Sequence, residues 1–318
     1  MIPISVAIPT FNGREILSRC LPSVLEAVRR YPAETEILVV DDGSRDDSAA
    51  FVRRHYGDRI RIIVHRVNRG VPAAFNSCLR HSRHPWVLLL NNDTVLHPDF
   101  LSPLAAVAGK SLRFAVQGTI HPGPPGSAEQ HQDFLDYRSG LLGVGTRIGA
   151  PASNDPEFEE IPYAVACAAL YRRKCALALG GFDEGTFAPG YWEDADLSLR
   201  ARRKGWSTVR ARDSHVWHLS SETMKRVLPE FRRRALWTRN QLLFHWKNLD
   251  TVLLTRHLCL LPKQLLGALL RRNWIFPVAL LWALPGAPRA FFGRSRGSRI
   301  DLPTLRAIGA IPAGDRPS

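Results

Sequence analysis

The first half of the chain alternates between two spacings of its apolar residues. Runs such as ISVAIPT (residues 4–10) and EILVVDD (36–42) are rich in β-branched residues and stop at polar ones, which predicts strands. Between them, GREILSRCLPSVLEAVRRY (13–31) carries apolar residues at helical spacing, which predicts a helix. The alternation continues with helices predicted at 47–57, 71–82 and 97–109, and strands at 59–65, 86–90 and 113–118. Strands that alternate with helices predict an α/β fold with a mainly parallel sheet and flanking helices.

The pattern breaks over residues 119–161, which are rich in Gly, Pro and Ser. We expect a long loop there, and loops of that length are usually functional or disordered. Regularity returns at residues 163–184, where a strand of small residues leads into a helix. The segment WEDADLSLRARRKGW (192–206) predicts one more helix, with acids at its start and bases at its end, as the helix dipole favours.

Charge divides the chain into two parts. Residues 1–225 hold 27 Lys or Arg against 25 Asp or Glu, whereas residues 226–318 hold 16 against 4. We therefore predict a near-neutral catalytic or binding domain at 1–225, followed at 226–318 by a basic region with a flexible end that would seek anionic lipid or nucleic acid.

The C-terminal region interleaves its Arg and Lys with Leu, Phe and Trp, which is typical of amphipathic helices at a membrane interface. Its most apolar run, WIFPVALLWALPG (274–286), is shorter than the ~20 residues that span a bilayer and contains Pro277. We therefore expect this region to lie on an anionic membrane surface. The alternative is a helical extension that packs on the catalytic domain.

The cysteines and the first residues indicate the compartment. Five cysteines are scattered without metal-ligand or disulfide spacing, and no signal-peptide pattern opens the chain. We expect a cytoplasmic protein, held peripherally on the inner face of the cell membrane.

Acidic residues follow several predicted strands or begin a predicted helix. Asp41 and Asp42 end the second strand, Asp93 follows the fourth strand, and Glu193 with Asp194 begins a helix. Carboxylates gathered at one sheet edge repel each other, so either they are solvated or a cation lies among them. Mg²⁺ or Mn²⁺ binds such carboxylates together with phosphate. The alternative for Asp93 is a turn or a helix cap.

Seven motifs in fixed order resemble the family 2 glycosyltransferases, which have the Rossmann-like GT-A fold. They are AIPTFN, VVDDGSRDDS, VNRGVPAAFN, LLLNNDT, GGFDE, EDADLSLRARRKGW and VWHLSS, and they cover about residues 4–222. The nearest resemblance is to bacterial enzymes that make surface polysaccharides, including rhamnosyltransferase-like members. It implies a hexosyl- or deoxyhexosyl-transferase that uses a nucleotide-sugar donor and a divalent metal, and that inverts the anomeric carbon.

The resemblance also assigns the donor site. Pro9 and Phe11 would line the nucleotide base, and Asp42 would accept the ring N–H of the base, with Asp41 beside it. The remaining residues assigned to the donor are Arg69, Asn91 and Asn92.

For the metal, the resemblance assigns Asp93 and His218, with Mg²⁺ or Mn²⁺ as the ion. Asp93 matches the last acid of the family's DxD motif, whereas Asn91 replaces the first acid and removes one charge. His215 is close enough to His218 in the sequence that the two could exchange roles.

The resemblance places the catalytic base at Asp194, with Glu193 as the second candidate. A sugar hydroxyl is a poor nucleophile, and a positioned base contributes about 10² to 10⁴ in rate. The structural alternative for both acids is stabilisation of a helix N-terminus.

These assignments predict an enzyme that moves a sugar from a UDP- or dTDP-sugar to a hydroxyl of a glycan or lipid-linked acceptor. A second hypothesis is a catalytically silent nucleotide-sugar-binding or membrane-associated scaffold, which Asn91 favours. We predict no nucleic-acid partner, because the positive charge lies in an apolar tail rather than in a recognition module. A dinucleotide-dependent oxidoreductase is excluded, since PTFNGRE rather than GxGxxG follows the first strand.

Overall fold

The computed structural model describes residues 1–110, 113–127, 132–138, 140–147, 157–219, 228–293, 299–307 and 310. They belong to two compact units. The first comprises Met1–Gln132, Ile148–Glu184 and Ala188–Thr223, and the second comprises Asp133–Arg147, Gly185–Phe187 and Met224–Ser318. The segments 133–147 and 185–187 of the predicted first domain thus belong to the second unit. The assignment of 1–225 to catalysis and 226–318 to the membrane stays a prediction.

The described part of the chain forms eleven strands and twelve helices. The strands are β1 (Ile4–Thr10), β2 (Thr35–Asp41), β3 (Arg61–Val64), β4 (Trp86–Leu90), β5 (Thr94–Leu96), β6 (Arg113–Pro122), β7 (Gln132–Arg138), β8 (Leu141–Arg147), β9 (Phe158–Glu160), β10 (Ala168–Arg172) and β11 (Ser207–His218). The helices are α1 (Arg14–Arg30), α2 (Ser48–Tyr56), α3 (Val71–His81), α4 (Leu101–Ala108), α5 (Arg173–Ala178), α6 (Glu184–Phe187), α7 (Glu193–Arg202), α8 (Glu230–Asn248), α9 (Thr251–Leu270), α10 (Ile275–Ala283), α11 (Ala287–Phe292) and α12 (Leu302–Ala307).

One sheet organises the first unit. Its strand order is β3, β2, β1, β4, β10, β6, β11, β5, with β9 beside β11. β1 runs parallel to β2 and β4, and β6 runs parallel to β11. β10 is antiparallel to both of its neighbours, β4 and β6. The predicted α/β fold with a mainly parallel sheet is confirmed, with β10 as an antiparallel insertion.

The central strand β4 is buried on both faces. Leu88 belongs to one apolar cluster, together with Leu17 of α1. Leu89 belongs to the opposite cluster, together with Phe75 of α3. A strand that has helices on both sides needs no polar positions, which is why WVLLL shows no alternation. The chain therefore first turns polar at Asn91, where it leaves the sheet.

The prediction of a long loop over residues 119–161 is wrong in part. β6 continues to Pro122, because Thr119–Pro122 pair with His215–His218 of β11. β7 and β8 then form a two-stranded sheet, and β9 pairs with β11. Leu135 and Tyr137 are buried at alternate positions, so the period-two signal of a strand was present in this Gly-rich segment. Residues 128–131 and 148–156 lie outside the described part of the chain.

Helices dominate the described part of the second unit, as predicted for the C-terminal region. Leu243 and Trp246 of α8 pack in one cluster with Ala283 of α10 and Ala290 of α11. Helix α9 begins with a side-chain cap, since the Asp250 carboxylate accepts a hydrogen bond from the N–H of Leu253 at 2.7 Å.

The run Ile275–Phe292 is apolar over 18 residues, with a mean hydropathy of 1.4 and 17% of it buried. By length and composition alone, it could cross a membrane. The sequence pattern treats Pro277 as an interruption, but in the structure Pro277 lies in the first turn of α10. Proline is tolerated there because the N–H groups of a first helical turn have no partner within the helix.

Candidate active site

Polar residues collect where the strands of the first unit end. Thr10 ends β1, Asp41 ends β2 and His218 ends β11, while Asn91–Asp93 follow β4. These strands run in the same direction, so their carboxyl ends share one edge of the sheet, which is where open α/β sheets bind ligands. The structure therefore brings to one edge the strand-end residues that the sequence singled out.

Asp93 and His218 form a polar pair at this edge. His218 Nε2 lies 3.0 Å from Asp93 Oδ1, and the Asp93 side chain is buried. Asn91 Nδ2 lies 3.5 Å from the same ring nitrogen. Asp93 and Asn91, both assigned to the donor and metal site, thus lie beside the ring of His218.

Strand pairing decides which histidine meets Asp93. In the antiparallel pair of β5 and β11, Thr94 lies opposite His218, and the N–H of Leu219 donates to the carbonyl of Asp93 at 2.9 Å. His215 is occupied elsewhere, because its Nδ1 lies 3.0 Å from His121 Nε2. The geometry therefore favours His218 over His215 as the partner of Asp93.

The Asp93 and His218 pair fits a hard divalent ion. In octahedral coordination with bonds of about 2.1 Å, neighbouring ligand atoms lie roughly 3 Å apart. The 3.0 Å between Asp93 Oδ1 and His218 Nε2 is a hydrogen-bond distance, and it is also compatible with that separation. Among the described residues, no group of three or more His, Cys, Asp or Glu could hold a metal. These two residues would therefore need phosphate and water to complete a shell, as Mg²⁺ sites at phosphates do.

Asn92 stabilises the turn between β1 and α1. Its Nδ2 donates to Thr10 Oγ1 at 2.9 Å. A Cβ on Gly13 would lie 2.2 Å from that oxygen and 2.5 Å from the Asn92 nitrogen, so any larger residue would displace this hydrogen bond. In this arrangement, the predicted donor ligand Asn92 has a clear structural contact, and its role toward the donor stays a prediction.

Asp42 holds the loop that follows β3. Its carboxylate accepts hydrogen bonds from the backbone N–H of Arg69 at 3.0 and 3.1 Å and from that of Gly70 at 2.8 Å. His65 Nδ1 lies 2.7 Å from the same carboxylate. These donors compete with the base N–H that Asp42 is predicted to accept. Asp41 is equally buried, and its Oδ1 accepts from the N–H of Ser44 at 2.8 Å.

Sequence reasoning missed His65, although it directly follows β3. Its Nε2 lies 2.9 Å from Ser77 Oγ, so Asp42, His65 and Ser77 form a hydrogen-bonded chain. A carboxylate, a histidine and a serine hydroxyl in this order also occur in enzymes that use a serine nucleophile. Ser77 is only 2% exposed, so its hydroxyl is closed to a substrate and the chain is structural. The sequence signal that could have indicated His65 is its position at the end of a predicted strand, next to the strand that ends in two acids.

The other predicted donor residues lie closer to solvent. Pro9 and Phe11 are partly exposed at the end of β1. The Arg69 guanidinium donates to Glu184 at 2.9 Å, and Glu184 also accepts from Asn76 Nδ2 at 2.8 Å. Arg69 is therefore held by Glu184, and a contact with a donor would require it to exchange partners.

Helix α7 carries the two acids assigned to catalysis. Tyr191 and Trp192 before it have positive φ values of 81° and 72°. That unusual backbone turns the chain sharply into the helix. Glu193 is buried, whereas Asp194 is partly exposed and its Oδ1 accepts from the N–H of Ala195 at 2.7 Å.

The two acids have different environments. Burial, together with the nearby charge of Asp194, raises the pKa of Glu193 to about 8. Its Oε2 has no hydrogen-bond partner among the residues that the structure describes. Glu193 is therefore mostly protonated at neutral pH, and the partly exposed Asp194 is the more accessible of the pair.

A buried ion pair fixes helix α7, and the sequence analysis did not single it out. Arg200 Nε lies 2.8 Å from Asp196 Oδ2, and Asp196 is fully buried. The same guanidinium donates to the carbonyls of Leu179 and Gly181, both at 2.7 Å. The sequence signal that could have indicated this ion pair is the spacing of four residues between Asp196 and Arg200 within a predicted helix.

Comparison with known proteins identifies the protein family. The family model described as glycosyl transferase family 2 matches residues 5–179. The chain belongs to glycosyl transferase family 2, and its sheet and flanking helices are those of the GT-A fold.

Individual relatives share part of their length with this chain. The cellulose synthase 1 catalytic subunit (UDP-forming) of Komagataeibacter xylinus is 25% identical over 242 residues, which cover 75% of this chain and 31% of the relative. The chain spans at most about half the length of the curated relatives that it matches first, between 14% and 56%.

Two solved structures share the fold. GalNAc-T7 with UDP, GalNAc and Mn²⁺ has a TM-score of 0.62 at 15% identity, covering 79% of this chain and 49% of its own. The mannosyltransferase PcManGT from Pyrobaculum calidifontis, with GDP-Man and Mn²⁺, has a TM-score of 0.54 at 18% identity, covering 96% and 78%. At these identities, the likeness concerns the fold.

Proposed function

We propose that this protein transfers a hexosyl or deoxyhexosyl group from a nucleotide-diphosphate sugar to a hydroxyl of a glycan or lipid-linked acceptor. The transfer inverts the anomeric carbon and depends on Mg²⁺ or Mn²⁺. The observation that carries this proposal is the 3.0 Å approach of Asp93 Oδ1 and His218 Nε2 at the strand ends of a family 2 chain.

Asp93 and His218 would hold the divalent ion. When bound, such an ion would neutralise charge on the departing diphosphate. Asn91 lies close enough to His218 to join them, but as an amide it adds no negative charge. A UDP- or dTDP-sugar is the proposed donor.

The donor base would lie near Pro9, Phe11 and Asp41, at the ends of β1 and β2. Asp42 would contribute by ordering the loop that carries Arg69. Arg69 would turn from Glu184 to the diphosphate when a donor is present, because a phosphate competes well with a partly exposed carboxylate for a guanidinium.

Asp194 would act as the general base. It is partly exposed and begins a helix that the Asp196–Arg200 pair anchors. Its carboxylate would accept the proton of the acceptor hydroxyl as that oxygen attacks the anomeric carbon on the face opposite the diphosphate. Glu193 would stay protonated and would limit the negative charge beside Asp194, since burial raises its pKa to about 8.

The proposal places the protein on the cytoplasmic face of the membrane. Residues 226–318 hold 16 Lys or Arg against 4 Asp or Glu, and each basic residue near an anionic surface contributes about 1 kcal/mol. The acceptor or its anchor would be reached there.

A thermal-shift screen tests the proposal. Wild type, Asp93→Ala and the control Asp99→Ala, which removes an exposed acid six positions away, are measured with UDP, dTDP and GDP, with and without Mn²⁺. One diphosphate should stabilise wild type and Asp99→Ala only with Mn²⁺, and Asp93→Ala should lose that stabilisation. Sugar transfer from the matching donor then tests turnover, and the anomeric configuration of the product tests inversion. Donor binding without transfer would favour the scaffold hypothesis instead.

A further inference from the structure

The second unit contains a groove of about 400 Å³ that no step of the proposed transfer uses. One wall is a stripe of α8, and the other is the turn between α9 and α10. The lining residues include Arg234, Trp237, Thr238 and Gln241 on the first wall, and Asn273 and Phe276 on the second.

Both walls are ordered. The four α8 residues follow the spacing i, i+3, i+4, i+7, so they share one face of the helix. On the other side, the N–H of Asn273 donates to the carbonyl of Ala268 at 2.8 Å, and its side chain accepts from the N–H of Ile275 at 3.2 Å. The groove is therefore formed without a ligand, and its volume is in the range of small-molecule sites.

The chemistry of the lining suits a phosphate that carries an apolar chain. The Arg234 side chain is 61% exposed, and its Nη1 lies 3.7 Å from Glu230, which is a loose surface pair. The Thr238 hydroxyl and the Asn273 amide are polar, whereas Trp237 and Phe276 add apolar wall. One guanidinium with a few hydrogen-bonding groups above an aromatic wall would recognise a phosphate ester.

The helices next to the groove expose apolar side chains. On α9, Val252, Leu266 and Leu270 are 68%, 58% and 76% exposed. Trp274, which lies between two lining residues in the chain, is 60% exposed, and Trp282 of α10 is 44% exposed. Exposed Leu together with Trp is typical of a surface that enters the headgroup region of a bilayer.

Charge identifies the kind of bilayer. Residues 251–293 contain no Asp or Glu and five basic residues, which are Arg256, Lys263, Arg271, Arg272 and Arg289. This stretch, which carries only cations, is complementary to anionic lipid. On the α8 wall of the groove, the exposed acid Glu230 lies 3.7 Å from Arg234.

We propose that this groove, named here the α8–α10 groove, binds the phosphate headgroup of an anionic phospholipid while α9 to α11 lie in the membrane interface. Arg234 contacts the phosphate, and Trp237 and Phe276 contact the start of the apolar chain. This inference rests on the membrane association in the proposed function and adds a defined lipid site to it.

The test is flotation of the full-length protein with two kinds of vesicle, pure phosphatidylcholine and phosphatidylcholine with 30% phosphatidylglycerol. Arg234→Gln is compared with Arg232→Gln, which removes the same charge from α8 outside the groove. Thr238→Phe fills the groove without any change of charge.

Wild type should prefer the anionic vesicles. Arg232→Gln should weaken that binding by about five-fold at most, which is the effect of one charge near the surface. Arg234→Gln should weaken it by about ten-fold or more, and Thr238→Phe by about five-fold. Equal losses in the two arginine variants, or wild-type binding by Thr238→Phe, would overturn the lipid site in favour of diffuse attraction.

Two measurements keep the outcomes separate. The melting temperature shows whether Thr238→Phe is folded, and Thr238→Leu replaces it if it is not. Stabilisation by nucleoside diphosphate and Mn²⁺ should be the same in all groove variants. If a groove variant loses lipid binding but keeps diphosphate stabilisation, the effect is limited to the groove. If diphosphate and Mn²⁺ do not stabilise wild type, the proposed sugar transfer is contradicted instead.

Discussion

The side chains of Asp93 and His218 are 125 positions apart in the chain and meet at 3.0 Å at the edge of the sheet. Asn91, in the place of a third potential ligand, lies 3.5 Å from the same histidine. The pair consists of one carboxylate and one imidazole, with a neutral amide nearby. If it holds the proposed metal, a charge added at position 91 should change the affinity for that metal.

Asn91→Asp should bind Mn²⁺ more tightly, because a second carboxylate beside Asp93 is relieved of its repulsion only when a cation is present. We expect the Mn²⁺ concentration for half-maximal thermal stabilisation with diphosphate to fall by about ten-fold. Asn91→Ser, which adds no charge, serves as the control and should not lower it. An unchanged midpoint in Asn91→Asp would show that Asn91 lies away from the ion.

The two acids that begin α7 should differ in their effect on turnover. Asp194→Asn should lower kcat by about 10² to 10⁴, as expected when a general base is removed. Glu193→Gln should lower kcat by less than ten-fold at pH 7, because the glutamine replaces a carboxyl group that is already mostly protonated. Transfer assays at saturating donor and acceptor measure both, and the reverse order would make Glu193 the base.

The raised pKa of Glu193 also predicts a pH dependence of stability. The folded protein holds a proton on Glu193 up to about pH 8, whereas the unfolded chain releases it near 4.5. The folded state thus binds more protons between these values, so the contribution of Glu193 to stability falls as pH rises through them. Relative to wild type, Glu193→Gln should gain melting temperature steadily from pH 5 to pH 8. A constant difference would contradict the burial argument.

Asp42 should matter for stability as well as for donor binding. Its carboxylate accepts from two backbone N–H groups and contacts His65. Asp42→Ala should lower the free energy of unfolding by about 2 to 4 kcal/mol, because the buried Gly70 N–H would lose its partner. Chemical denaturation measures the loss. Full stability with weakened diphosphate binding would instead assign Asp42 to the donor alone.

The second unit should be sensitive to acid through two buried histidines. His257 and His245 pack edge to face at 4.8 Å, and His257 Nδ1 lies 2.9 Å from the carbonyl of Gly140. Burial lowers the pKa of His257 to about 4 and that of His245 well below its usual value.

The unfolded chain takes up these protons near pH 6.5, whereas the folded chain resists them. The contribution of these neutral, buried histidines to stability is therefore fully present above pH 6.5 and falls as pH drops toward 4. We expect the melting temperature of wild type to fall more steeply over this range than that of His257→Gln, and the difference between them to be constant above pH 7. Parallel curves throughout would show that His257 is accessible to protons in the fold.

Much of the fold and of the candidate site could be predicted from local pattern. Alternating strand and helix periods predicted β1 to β4 and α1 to α4, and the acids at strand ends marked the sheet edge. The small strands β5 and β9 and the hairpin β7–β8 were missed. β5 and β9 have only three residues each, too few to show a period. In β7, the surrounding Gly and Pro hid a period-two pattern that Leu135 and Tyr137 carry.

The sequence by itself determined strands such as β1 to β4, helices such as α1 to α4, and the polar residues that follow those strands, since these depend on periodicities of a few residues. Only the tertiary structure decided that His218 rather than His215 faces Asp93, because that depends on the register between β5 and β11. It also decided that Glu193 is buried beside a partly exposed Asp194. Register and burial arise from contacts between residues far apart in the chain, and it is those contacts that set the charge and the ligand geometry of the site.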